Sequence, residues 1–145
     1  MLILALAAAA APTCDKPVLM IVSGPTQDRA RMMAYGKAIA DSRLYEKLGG
    51  YYVAQPRPVE VFEGTPPPGY SSLVVRFPCL ANARAFWNSK EYQERIKPLR
   101  LNPSAGDYLV TVHEEVPVRA DMAGKVGDAG YRAMFDARSV EQIKP

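Results

Sequence analysis

The sequence predicts an α+β domain whose four-stranded antiparallel sheet carries helices on one face only. Three observations lead to this fold class. Residues 18–23 (VLMIVS) form an apolar run without alternation, which is typical of a central strand. Two segments with helical periodicity each follow a strand-like run and end before another one. Residues 63–71 are rich in Gly and Pro and return the chain between two strand-like runs, which indicates a β-hairpin.

The first strand is followed by a long helical segment. Thr26 or Asp28 opens this helix, because both side chains cap free backbone N–H groups well. One helical face carries apolar residues at the expected spacing: Met32, Tyr35 and Ile39. Later apolar residues lie on a rotated face, so a break is expected near Asp41 and Ser42. The glycine pair at residues 49–50 ends the segment.

The second and third strands form the predicted hairpin. The second strand is expected at residues 51–55 and is expected to resume at residues 59–62, after Pro56 and Pro58. Two prolines so close together indicate an edge strand or a bulge, because proline cannot donate to a sheet ladder. The third strand is expected at residues 73–77 and ends at the proline that follows it.

The second helical segment runs from Leu80 to Arg100 and divides in two. Its first part has apolar residues on one face: Ala83, Phe86 and Trp87. Asn88 or Ser89 is expected to cap the second part, with Glu91 completing a capping box. The second part continues with its own apolar spacing: Tyr92, Ile96 and Leu99. A last strand is predicted by the alternation across residues 107–113.

This order, β-α-β-β-α-β, is that of the ferredoxin-like fold. Right-handed crossovers place both helical segments on one face of the sheet. The other face is then bare and apolar, with contributions from Val74 or Val75, from Val110 or its neighbours, and from part of residues 18–22. A bare apolar sheet face favours a homodimer. Two such sheets packed face to face make a dimeric α+β barrel.

The two ends of the chain fall outside this unit, so the predicted domain spans residues 18–116. Residues 1–17 are expected to be a signal peptide and an N-terminal arm, because residues 1–11 are apolar, too short to span a bilayer, and end in an A-x-A site. No Lys or Arg precedes the run, so a misassigned start or an Ala-rich leader is the alternative. The expected location is periplasmic or secreted, and cytoplasmic if the leader is not a signal peptide. Residues 117–145 form an extension, with a short helix or a frayed tail at residues 131–143.

Composition excludes several classes of function. The chain is 48% hydrophobic and 23% charged, as in ordinary soluble domains, and no stable membrane insertion is expected. The net charge of +3 is scattered without a basic stripe, so nucleic acid is not an expected partner. With one His and no C-x-x-C, no metal site is expected, and no cofactor motif is present. Cys14 and Cys79 are expected to stay unpaired, with a disulfide in an oxidising compartment as the alternative.

Four segments resemble the DUF1330 family. They are the glycine pair at 49–50, VEVFEG at 59–64, VVRFP at 74–78 and AFWNSKEYQ at 85–93. The resemblance spans residues 18–116 and implies a dimeric α+β barrel related to antibiotic-biosynthesis and heme-degrading monooxygenases. The family strand usually runs on to a second Gly-Gly, where this chain has QPRP at 55–58, so no role of those glycines is carried over. The family has no established reaction, so the resemblance implies a fold and an assembly.

Arg76 and His113 are the candidate catalytic residues. Arg76 interrupts an apolar strand and is expected to pair with Glu60 on the neighbouring strand, with an anionic ligand as the alternative partner. His113 is the only side chain that titrates near neutrality by default, and it precedes two glutamates. It is therefore a candidate general base, or else a surface residue at a strand end.

Trp87, Tyr92 and Tyr51, with Tyr52, are the candidate ligand-binding residues. Aromatic residues at helical spacing usually form core, and the alternative is that these line a pocket between helices and sheet. The predicted function is a dimeric small-molecule-binding or interaction domain, with a small apolar or aromatic ligand. The alternative is a cofactor-independent monooxygenase-like enzyme acting on an aromatic substrate. In that enzyme His113 is the base and Arg76 the anion partner.

Overall fold

The computed structural model describes Cys14, residues 16–117 and residues 120–121. Within these residues no helix is long and apolar enough to cross a membrane. The predicted cleavage site near residues 8–11 and the helix predicted at residues 131–143 lie outside the described residues.

The four strands form one antiparallel sheet in the order β2-β3-β1-β4, with the helices on one face. The predicted α+β, ferredoxin-like order is thereby confirmed. The last helical segment ends in a π-helical turn and a 3₁₀ turn. The elements are β1 (Val18–Pro25), α1 (Arg29–Ser42), α2 (Leu44–Lys47), β2 (Tyr51–Ala54), β3 (Tyr70–Phe77), α3 (Leu80–Asn88), the π-helical turn (Glu91–Ile96), the 3₁₀ turn (Lys97–Arg100) and β4 (Leu109–Glu114).

The strand register decides which side chains face the helices. Met20 of β1 lies opposite Val75 of β3, and these residues are 2% and 0% exposed beneath the helices. Directly opposed residues in an antiparallel pair point to the same face. We call this side the helix face. It also carries Val110, which lies opposite Val22.

The other side of the sheet, the open face, carries the alternate residues of the same strands. Leu19 lies opposite Arg76 and His113, and Ile21 lies opposite Val74 and Thr111. Of the alternatives left by the sequence, Val74 therefore belongs to the open face, whereas Val75 and Val110 belong to the helix face.

An aromatic cluster fills the space between the helix face and the helices. Phe86 of α3 packs on Tyr45 and on Tyr92, with ring centres 4.6 Å apart in each pair, and on Phe77 at 5.8 Å. Offset and tilted ring pairs of this kind stabilise a core beyond their buried area. The cluster joins α2, β3, α3 and the π-helical turn, and it forms one end of the space described below.

Local hydrogen bonds set the helix boundaries. Asp28 caps α1, because its carboxylate accepts a bond from the backbone N–H of Arg31 at 3.0 Å. The predicted break near residues 41–42 is present: Arg43 has φ 52°, and Ser42 Oγ accepts from the N–H of Leu44 at 3.2 Å. Of the two predicted caps of the second part, Ser89 is confirmed, because its Oγ accepts at 3.1 Å from the backbone N–H of Tyr92, the second residue of the π-helical turn. The capping box predicted between Asn88 and Glu91 is wrong, because Asn88 is the last residue of α3.

The segment between β2 and β3 corrects one prediction. Residues 59–62 were expected to resume the second strand, but they lie in an exposed loop, the β2–β3 loop at residues 55–69. Phe62 in this loop is 93% exposed. The ladder stops here because Pro56 has no N–H to donate to β3, although its carbonyl still accepts from the N–H of Ser72 in β3 at 2.7 Å.

Cys14 and Cys79 form a disulfide with their Cα atoms 5.0 Å apart, so the expectation of unpaired cysteines is wrong. The register of β1 against β3 explains why the two cysteines lie close together. Val18 at the start of β1 lies opposite Phe77 at the end of β3. The chain just before Val18 therefore runs beside the chain just after Phe77, which brings the two sulfur atoms within bonding distance.

Candidate functional site

A cavity of about 1010 Å³ lies between the helix face and the helices. The sheet supplies an apolar floor that includes Met20, Val22 and Leu73. Helix α1 covers this floor with Met32, Met33, Tyr35, Gly36 and Ile39, and residues 55–58 of the β2–β3 loop border it. Sites for small molecules in proteins are concave, mostly apolar spaces of roughly 300–1,000 Å³. The cavity is therefore large enough for a ring system of several fused or linked rings.

Aromatic side chains dominate the wall. Phe86 and Trp87 contribute from α3, and Trp87 packs on Tyr92 with ring centres 5.2 Å apart. Six tyrosines also line the cavity: Tyr35, Tyr45, Tyr52, Tyr70, Tyr92 and Tyr108. Phenol rings present an apolar face and a polar tip. Such a wall suits a ligand that is itself aromatic or apolar and carries a few polar atoms.

One polar cluster stands out in this wall, and we call it the Arg100 cluster. It consists of Arg100, Tyr92 and Tyr35. The hydroxyl oxygens of Tyr35 and Tyr92 are 3.2 Å apart, and Arg100 Nη2 donates to the Tyr92 hydroxyl at 3.5 Å. The guanidinium carbon also lies 5.5 Å from the centre of the Tyr35 ring, within cation–π range.

The protonation states of this cluster follow from its surroundings. Burial, helped by the neighbouring Tyr92, raises the pKa of Tyr35 far above its usual value of 10.0. Burial by itself would lower the pKa of Arg100, but its hydrogen bond and Coulomb attraction to Tyr92 outweigh that effect and raise it. At neutral pH the cluster therefore presents a charged guanidinium beside the neutral phenol of Tyr35, which can donate.

The cavity carries positive charge without a negative counterpart. Its lining includes Arg29, Arg57 and Arg100, and among the residues that the structure describes no Asp or Glu lines it. Arg100 is half-buried, and in the part of the chain that the structure describes none of the ion pairs involves it. The same part of the chain contains no cluster of three or more metal-ligating side chains.

Comparison with known proteins gives the chain a family. The model of the family described as "Domain of unknown function (DUF1330)" matches residues 17–112. The chain belongs to the DUF1330 family. The predicted resemblance is thereby confirmed.

Two solved structures are similar to this chain, and the first of them supports the fold. A protein of unknown function from Rhodopseudomonas palustris is 17% identical, with a TM-score of 0.56 over 71% of this chain and 85% of its own. A protein from Shewanella oneidensis is 15% identical, with a TM-score of 0.46 over 71% of this chain and 94% of its own. No curated protein matches the chain. At these identities the first likeness shows the shared fold alone.

The candidate ligand-binding residues of this DUF1330 protein divide between the two faces of the sheet. Trp87 and Tyr92 line the cavity, whereas Tyr51 does not. Tyr51 lies opposite Arg76 on the open face, and its neighbour Tyr52 faces the cavity instead. Successive side chains of a strand point to opposite faces of the sheet, so the neighbours Tyr51 and Tyr52 lie on different faces.

Arg76 has a different partner from the one predicted. Its Nε lies 2.5 Å from a carboxylate oxygen of Glu115, and the two side chains are 26% and 18% exposed. Glu60, the predicted partner, lies in the exposed β2–β3 loop because β2 ends at Ala54. Glu115 reaches Arg76 because it follows β4 on the open face, two residues after His113.

His113 is exposed and shares the open face with Arg76. Its Nε2 lies 2.9 Å from the hydroxyl of Thr111 on the same strand. Neither His113 nor Arg76 lines the cavity, so the structure does not bring them together with Trp87 and Tyr92. Their catalytic role and the monooxygenase-like activity stay predictions.

The central residue of the site, Arg100, was missed as a functional candidate, although a signal was present. Tyr92, Ile96 and Arg100 recur at intervals of four, which places a terminal Arg on the apolar face of its own segment. A charge at the end of an apolar helical stripe is the kind of exception to the binary pattern that marks a site. Its partner Tyr35 was recognised only as a core residue of α1.

Proposed function

We propose that this DUF1330 protein binds a small aromatic or apolar molecule in the cavity between α1 and the sheet. The observation that carries the proposal is an aromatic wall around about 1010 Å³ of space. Removing apolar surface from water favours binding by about 25 cal/mol per Å². A ligand of two or three rings enclosed by phenol and indole faces gains enough from this term to bind without further contacts.

Gly36 is a position where a large side chain can be introduced into the cavity without a clash at its Cβ atom. It lies on α1 and lines the cavity, and a Cβ built on it meets no atom within 4 Å. Gly36→Trp is therefore expected to fill the cavity. Trp is also a better helix former than Gly, so the change removes part of the roughly 0.5–1 kcal/mol that an interior helix glycine costs relative to Ala. The matched control is Ala34→Trp, because Ala34 is exposed on the same helix and does not line the cavity.

The test is titration of N-phenylnaphthylamine, a neutral fluorescent aromatic dye, into the purified protein. Saturable binding to the wild type and to Ala34→Trp, with at least tenfold weaker binding to Gly36→Trp, supports the proposal. Thermal unfolding of both variants shows that each is folded. Equal binding to all three proteins would place the dye elsewhere and refute the proposal.

We also propose that the protein is a homodimer through the open face. Leu19, Ile21 and Val74 give this face an apolar centre, and Leu109 at its edge is 67% exposed. Contiguous apolar surface of this kind favours association. Sedimentation at micromolar concentration is expected to give a dimer for the wild type and a monomer for Ile21→Glu. A monomeric wild type would exclude this interface.

We further propose that the protein is exported. The disulfide between Cys14 and Cys79 supports this, because such bonds persist in oxidising compartments and are rare in the cytosol. Fractionated cells are expected to yield a chain that has lost its apolar leader and still contains Cys14. N-terminal sequencing decides, and a chain that retains Met1 in the cytoplasm contradicts export.

A further inference from the structure

We infer that the ligand of the cavity is an anion with an aromatic or apolar body, and that the Arg100 cluster binds its negative group. A carboxylate or sulfonate is the chemistry that fits. The inference rests on the proposed function, because it names the class of molecule that the same cavity takes. Three features of the cavity support it: an unbalanced charge, free hydrogen-bond donors and apolar space around them.

The unbalanced charge belongs to Arg100. A half-buried cation loses part of its hydration, and proteins normally offset that loss with a carboxylate. Within the described residues its polar partners are the phenols of Tyr92 and Tyr35. Arg76 shows the contrast, since Glu115 lies 2.5 Å from its Nε. A ligand anion at Arg100 would supply the negative charge that the lining of the cavity lacks.

The hydrogen bonds of the cluster direct donors toward such an anion. The hydroxyls of Tyr35 and Tyr92 lie 3.2 Å apart, so one of them donates to the other. The proton of the accepting hydroxyl is then left to donate elsewhere. A guanidinium has five N–H donors, more than its bonds to the phenols of Tyr92 and Tyr35 use. An anionic group beside the cluster can therefore accept from Arg100 and from a phenol together.

The space around the cluster fits the rest of the molecule. Ile39 and Leu73 offer apolar surface, and Trp87 offers a ring face. Arg29 and Arg57 are exposed lining residues, so they attract an anion from solvent before it enters. A neutral ligand would use the apolar walls and bring no negative charge to the three arginines that line the cavity.

Two dyes that differ in one group separate this inference from the proposed function. Anilinonaphthalene sulfonate and N-phenylnaphthylamine share their ring system, and only the first carries a sulfonate. The wild type is expected to bind the sulfonate more tightly. Arg100→Met keeps the unbranched apolar part of the side chain and removes the guanidinium with its charge, and it is expected to weaken sulfonate binding about 10- to 100-fold, as for a lost hydrogen bond to a charged group. Binding of the neutral dye is expected to change less than twofold.

Two further variants guard the result. Arg84→Met removes an exposed arginine of α3 that does not line the cavity, and it is expected to leave both dyes unaffected. Tyr35→Phe keeps the ring and removes one hydroxyl, and it is expected to weaken sulfonate binding by about 2- to 10-fold. Circular dichroism checks that each variant is folded. If Arg100→Met does not fold, the sulfonate affinity of Tyr35→Phe tests the inference instead.

The outcomes are distinct. If neither dye binds, the proposed function fails. If the neutral dye binds the cavity but Arg100→Met and Tyr35→Phe leave the ratio of the two affinities unchanged, the function stands and the inference is overturned. A fall in sulfonate affinity confined to these variants, and absent in Arg84→Met, supports the inference.

Discussion

Breaking the disulfide between Cys14 and Cys79 is expected to destabilise the protein substantially. The cross-link joins residues separated by 65 positions. In the chain-entropy model, a loop of that length restricts the unfolded chain by about 4 kcal/mol. Natural disulfides in small domains contribute roughly 2–5 kcal/mol, so the two figures agree. Cys79 is buried and Cys14 is exposed, so Cys14→Ser removes the bond with the smaller disturbance of the core.

The assay is urea unfolding of the wild type with and without a reducing agent, and of Cys14→Ser. Reduced wild type and Cys14→Ser are expected to unfold at the same lower urea concentration. The free energy of unfolding should fall by about 2–4 kcal/mol, which for a domain of this size lowers the melting temperature by about 10 °C. Cys14→Ser provides the control, because a reducing agent should not change its midpoint.

Two results would refute this reasoning. One is a reduced wild type whose free energy of unfolding stays within about 0.5 kcal/mol of the oxidised form, since that equals the effect of an ordinary surface substitution. The other is the titration of two free thiols in protein prepared under oxidising conditions. Either result would mean that the N-terminal arm is not fixed to the end of β3.

Three other perturbations test the fold and the cluster. Phe86→Ala removes a ring that is 1% exposed, and it should lower the free energy of unfolding by about 3–5 kcal/mol in urea; a loss below 1 kcal/mol would contradict its place in the core. Asp28→Ala removes the cap of α1 and should cost about 1 kcal/mol, whereas Asp28→Asn should cost little. Burial raises the pKa of Tyr35 and of Tyr45, so the folded state holds protons that the unfolded state releases near its ordinary value of 10.0. Stability is then fully present below that pH and falls as pH rises above it, and phenolate absorbance should show these tyrosines titrating only on unfolding; in Tyr35→Phe the fall should be shallower.

The fold was predictable because local and long-range signals agree over most of the chain. Strand β1 ends at a glycine and a proline, β3 ends at Pro78, and α1 begins at a good cap. Residues 59–62 show where this agreement fails. They alternate like a strand, but a strand needs a partner, and β2 has already ended at Ala54, with one last bond from β3 to the carbonyl of Pro56. Local strand propensity alone did not decide that segment.

The site was less predictable because it depends on register and on contacts between distant segments. Tyr51 and Tyr52 are equivalent candidates in the sequence, and a shift of one residue along β2 decides which of them faces the cavity. Arg76 was paired with Glu60 on the assumption that β2 extends past residue 55. The Arg100 cluster joins α1 to the end of the 3₁₀ turn. The periodicity of a single segment cannot predict a contact between two distant segments.

The two faces of the sheet differ in how their arginines are paired, and this difference determines what can cover each face. On the open face Arg76 is matched by Glu115, so a second sheet can cover the pair without leaving a buried charge alone. On the helix face Arg100 has phenols but no described carboxylate, and an apolar partner would leave its charge uncompensated. The open face is thus suited to permanent burial, whereas the helix face is suited to an exchangeable anion. Because Ile21→Glu and Arg100→Met act on opposite faces, the first should abolish the dimer without weakening sulfonate binding, and the second should do the reverse.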